Sequence, residues 1–99
     1  MENTSEGIAR MNAFESKVHQ TVHDTRGLLE ILKSVKGLDS SGKESQLYRI
    51  TLKRFRDNCL RLASYAEACA LISGDGERDR ILKADGCSWD DDKRRVSLG

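Results

Sequence analysis

The sequence predicts an all-α protein: an antiparallel two-helix hairpin that dimerises into a four-helix bundle. Three observations predict it. The 99 residues contain no proline, so the strongest helix breaker is missing. Aromatic residues make up 5% and charged residues 33%, and the helix formers Leu, Ala, Glu, Lys and Arg dominate. Two long segments then repeat apolar residues at an alternating three-and-four spacing on either side of a short Gly- and Ser-rich connector.

The first segment is residues 8–36. Met11, Phe14, Val18, Thr21, Thr25, Leu28, Leu32 and Val35 form its seam, and Ile8, Val22 and Leu29 widen it. The connector is "GLDSSGKE", residues 37–44. Gly37 suits a helix C-cap, and Ser41 with Glu44 has the spacing of a capping box. The second helix is residues 45–73, with a seam of Tyr48, Leu52, Phe55, Cys59, Leu62, Ala66 and Cys69. Its other face carries Arg49, Lys53, Arg54, Asp57, Arg61 and Ser64; five basic against two acidic residues give the helix a charge of +3 (5 − 2). Each helix would span roughly 40 Å. A single hairpin leaves one side of a widened seam uncovered, so a homodimer is expected. Residues 8–74 are thus the helical domain. "SGDGERD" ends the second helix with two glycines, and residues 77–84 have room for one or two helical turns. The polar stretch that follows lacks a period, so 75–99 reads as a linker or the truncated start of a following domain.

The formal net charge of +1 gives no electrostatic reason for nucleic acid or an acidic membrane as partner. No apolar run reaches membrane-spanning length. "MENTSEGIAR" lacks a signal-peptide pattern, and a cytoplasmic location is expected. Cys59, Cys69 and Cys87 have neither C-x-x-C spacing nor an accompanying metal-ligand pattern, and read as reduced thiols in the core. His19 and His23 are one helical turn apart with no clear third ligand, so no metal is expected.

The segment "HDTRGLLEIL", residues 23–32, stands out. On a helical wheel His23, Gly27 and Glu30 lie opposite the seam, flanked by His19 and Arg26. A mid-helix glycine costs about 1 kcal/mol against alanine, which a surface helix gains nothing from unless something must come close. A displayed imidazole can attack a phosphoryl group. Asp24 can orient the ring or take its proton, and Arg26 can steer an anion.

With His23, Asp24, Arg26, Leu29 and Leu32 at these positions, the segment resembles the helix-one box H-[DE]-x-R-x-P-L-x-x-I of the dimerisation and histidine-phosphotransfer (HisKA-type) domain of sensor histidine kinases. The resemblance covers about residues 14–74. It implies that His23 is the phosphoacceptor, that Asp24 is its acid/base partner, and that Arg26 supports the local electrostatics. It also implies that the face of His19, His23, Gly27 and Glu30, with Arg26 beside it and together with part of the second helix, docks a response-regulator receiver domain. The chain would then be a phosphoacceptor and dimerisation module of two-component signal transduction. Phosphate would reach a receiver aspartate from this histidine. ATP would be used only through a separate kinase domain, in cis or trans, because the chain has no asparagine box or glycine-rich lid of its own; "KRRVSLG" would be where a linker enters that domain. Leu28 stands where the family has a bending proline, which implies a straighter helix. Gly27 stands where the family often has Thr or Asn to position water, so phosphatase activity does not carry over. Two other readings compete: a non-catalytic coiled-coil dimer adaptor, and a helical dimer that binds double-stranded RNA through the basic face of the second helix.

Overall fold

The seam residues set two long helices side by side. In the computed structural model, which describes residues 2–36 and 42–99 and the side chains of 13–35 and 46–99, α1 spans Glu2–Lys36 and α2 spans Gly42–Ser73. Gly37 and Ser41, and the side chains of Ile8, Met11 and Glu44, lie outside the described residues. The molecule is mostly helical and elongated, with extents of 60 × 27 × 18 Å. On α1 the seam positions Val18, Thr21, Thr25, Leu32 and Val35 are buried, with Phe14 and Leu28 half-buried. The two threonines can sit there because each hydroxyl has an acceptor one turn back. Thr21 donates to the Lys17 carbonyl at 2.7 Å and Thr25 to that of Thr21 at 2.6 Å, so neither brings an unpaired hydroxyl into the core.

The C-terminal residues depart from the linker expectation. Gly74, with φ 90° and ψ 164°, closes α2, its N–H bonding the Ala70 carbonyl at 2.9 Å; this extended positive-φ conformation is open essentially to glycine alone. The chain then forms α3, Asp75–Ala84, and an antiparallel hairpin of β1, Ser88–Asp90, and β2, Arg95–Ser97, with Trp89 opposite Val96. α3 ends on Gly86, φ 72°. There the Gly86 N–H bonds the Lys83 carbonyl at 3.0 Å and the Cys87 N–H bonds that of Leu82 at 2.8 Å. In the hairpin turn the Asp90 carboxylate accepts the Asp92 and Lys93 N–H groups at 3.1 and 3.2 Å, and Arg94 adopts φ 50°.

These elements bury apolar surface in the same core as the long helices. Ile81, Leu82, Cys87 and Val96 join Val18, Val22, Leu62, Ala66 and Cys69 in one cluster, with Phe14, Tyr65, Trp89 and Leu98 packed against it. Phe14 and Tyr65 meet edge to face at 5.8 Å. The Arg78 guanidinium lies 5.2 Å from the Trp89 ring centroid, and the indole N–H donates to Asp91 at 2.9 Å. Residues 75–99 are therefore a third layer of the core. A helix pair alone buries only a narrow stripe, and α3 with the hairpin covers the width that is left. The contrast along α2 shows it. Leu62, Ala66 and Cys69 are buried where the C-terminal elements pack, while near the connector Thr51 is buried and the seam residue Tyr48 is exposed.

The three cysteines are free thiols, Cys69 and Cys87 buried and Cys59 half-buried. Burial raises all three thiol pKa values above the ordinary range. No helix among the described residues is long and apolar enough to cross a membrane.

Candidate functional site

α1 presents two neighbouring stripes beside its seam, and the structure treats them differently. His23, Asp24, Gly27 and Glu30 are exposed. His23 thus projects to solvent from the middle of a long helix, where the wheel placed it. A Cβ built on Gly27 would meet no atom within 4 Å, so space is open one turn beyond the imidazole. The Asp24 carboxylate accepts a hydrogen bond from Gln20 Nε2, one turn back on the same exposed surface, at 3.0 Å. Glu30 pairs with Lys33 at 3.7 Å, an exposed pair of little energetic weight.

The second stripe, Glu15, His19 and Arg26, faces the C-terminal elements. His19 Nδ1 lies 2.5 Å from Asp85 Oδ1. Arg26 Nη2 donates to the carbonyls of Asp85 at 2.6 Å and Leu98 at 3.1 Å, and lies 3.7 Å from Cys87 Sγ. Glu15 accepts from Arg80 at 2.5 Å, and Arg80 also pairs with Glu77. The Arg80 hydrogen bond holds the Glu77 carboxyl below its ordinary pKa.

Arg26, expected beside His23 as support for the local electrostatics, donates to carbonyls just after α3 and just after β2 and so ties both to α1. A half-buried guanidinium satisfies its donors where acceptors are nearest, and the end of α3 and the last turn of chain supply two carbonyls. His19 lies against Asp85 but keeps a largely exposed side chain, and His23, Gly27 and Glu30 of the expected docking face are exposed as well.

The residues that sequence reasoning missed are Asp85, Cys87 and Leu98. Their signal was present in "ADGC", where a glycine follows a short helical stretch and precedes an apolar residue, the pattern of a left-handed C-cap. It was present again in "RVSL", which alternates polar and apolar residues as a half-buried strand does.

The clamp has a measurable consequence. Hydrogen bonds from a charged donor contribute about 1.5–3 kcal/mol each when an acceptor would otherwise be left unpaired. Arg26→Met, which keeps the stem and removes the donors to both carbonyls, is expected to lower stability by about 3 kcal/mol and to speed hydrogen exchange in 85–98 selectively. Unchanged exchange there would show that Arg26 does not hold this segment.

Among the described residues no group of three His, Cys, Asp or Glu side chains is placed to hold a metal ion. No protein-family model, curated protein or solved structure matches the chain.

Proposed function

We propose that the chain is a phosphoacceptor and dimerisation module of two-component signal transduction, with His23 as the phosphoacceptor. The observation that carries the reading is the exposure of His23 and Asp24 in the middle of a long helix, with open space above Gly27. In the proposed step an unprotonated imidazole nitrogen attacks the phosphorus. The donor is an aspartyl phosphate of a receiver, or ATP held by a separate kinase domain. The bond from phosphorus to the leaving oxygen breaks, and that oxygen departs with the electron pair as carboxylate or ADP. The proton on the other ring nitrogen passes to Asp24 or to water. The reverse transfer delivers phosphate to a receiver aspartate. These partners belong to the cytoplasm.

The docking face in this reading is His23, Asp24, Gly27 and Glu30, with the segment held by His19 and Arg26 as its border. A second copy of the chain is supported by Ile31 on α1 and by Leu47, Tyr48 and Ile50 on α2, large apolar side chains left exposed toward the connector. An interface between copies would cover them.

Substitution at Gly27 tests the approach to His23. Because the site is helical and open, Gly27→Ala is expected to raise stability by about 1 kcal/mol. Gly27→Leu, with a side chain over the patch, is expected to fold well and to accept phosphate from a phosphorylated receiver about tenfold or more slowly. If Gly27→Leu accepted phosphate as fast as wild type, the receiver would not approach by this face and the proposed docking surface would be wrong.

A further inference from the structure

A groove of about 610 Å³ runs between α2 and β2, on elements that the proposed phosphotransfer does not use. Its floor is apolar: Phe55, Cys59, Leu60 and Ala63 from α2, Val96 and Leu98 from the C-terminal strand and the residues after it. Leu60 is 68% exposed, so the groove is open along one side. The wall is fixed, because Val96 belongs to the core and the Leu98 carbonyl is held by Arg26 at 3.1 Å.

The charged residues that line the groove are Arg56, Lys93, Arg94 and Arg95, and all four are basic. All are exposed. One is loosely matched: Arg94 lies 3.8 Å from Glu67. Arg95 and Cys59 line the same trough; burial raises the Cys59 thiol pKa and the Arg95 cation opposes the rise. Four cations, one on α2 and three on the turn and second strand of the hairpin, thus border an apolar trough on a chain whose net charge is only +1.

We infer that this groove docks an acidic, amphipathic peptide segment of a partner protein, apolar side chains on the floor and carboxylates against the basic rim. Charge complementarity selects the sign of the partner. The shape selects a peptide. Phe55 to Ala63 covers about 12 Å of helix, enough for two turns of a partner helix, and an open trough lets the partner's far side stay in water. The site is independent of His23, and its failure would leave the phosphotransfer reading standing.

The test uses the full chain and a fluorescein-labelled synthetic peptide of about twelve residues, with leucines at helical spacing and glutamates between them. Fluorescence anisotropy at low salt is expected to show micromolar binding that weakens as salt rises. Leu60→Asp is expected to weaken it about tenfold or more, as is the pair Arg94→Glu with Arg95→Glu. His23→Gln is expected to leave it unchanged. The same peptide with lysine for glutamate, or serine for leucine, is expected not to bind. Leu60 is exposed, so its replacement spares the core, and circular dichroism checks that it does. If Leu60→Asp did unfold the chain, the double arginine replacement and the lysine peptide would decide alone. The inference is overturned if the glutamate peptide fails to bind, if the folded variants bind as well as wild type, or if the lysine peptide binds equally. Retention of the chain by phosphatidylglycerol vesicles without peptide binding would overturn it in favour of a lipid surface.

Discussion

His23→Gln is expected to fold as wild type does and to take up no acid-labile phosphate. The two halves of that result rest on different features. His23 is exposed on a helix, and exposed substitutions away from caps and networks change stability by about 0.5 kcal/mol or less. Glutamine also has a higher helix propensity than histidine. The amide, however, has no nucleophilic nitrogen, so the phosphoramidate bond cannot form. The expected loss of uptake is therefore complete. Asp24→Asn is expected to slow uptake by about 10²-fold without abolishing it, as for removal of one acid/base partner. Transfer of phosphate from a labelled receiver, read on gels kept at neutral or alkaline pH, measures both. Uptake by His23→Gln at the wild-type level would rule out the site.

Leu82→Ala is expected to lower unfolding stability by about 2–5 kcal/mol, the range for a large-to-small change in a closed core. Leu82 is 1% exposed and lies in the cluster with Val18, Val22 and Leu62. Its backbone also anchors the C-cap, since the Leu82 carbonyl accepts the N–H groups of Asp85 and Cys87. A residue in a linker would cost no more than about 0.5 kcal/mol. Chemical denaturation of wild type and variant separates the two. A loss in the core range together with a single transition would mean that α3 and the hairpin unfold with the long helices. A loss in the linker range would mean that they do not share a core.

The long helices were legible because heptad spacing is a local property of the sequence. His23 and Gly27 were placed on the solvent side by rotation alone, and Thr25, Leu28 and Leu32 on the seam by the same rotation. Val22 was legible only in part. It lies beside the seam, and it is fully buried in a cluster that includes Ile81 and Leu82 of α3, an element the period of α1 does not report. The partners of Arg26 and His19 were not legible for a related reason. A wheel states which way a side chain leaves the helix and not what stands there, and what stands there is the Asp85–Gly86 turn, some sixty residues away in sequence. The hairpin was missed because strands of three residues are too short for alternation to rise above the acidic and basic run "DDDKRR", which takes in the end of one strand and the start of the other. Tyr48 shows the converse: its spacing fits the seam, yet the width of the buried stripe depends on how many elements cover α2 at that height.

The most direct test of phosphotransfer at His23 is phosphorus NMR of the wild-type chain at neutral pH, after incubation with a phosphorylated receiver domain, followed by fragmentation mass spectrometry. The expected result is one phosphoramidate signal that disappears on acidification, with the added phosphate mapped to His23. Phosphate on a serine, threonine or aspartate, or on His19 instead, or none at all from any donor, would contradict it.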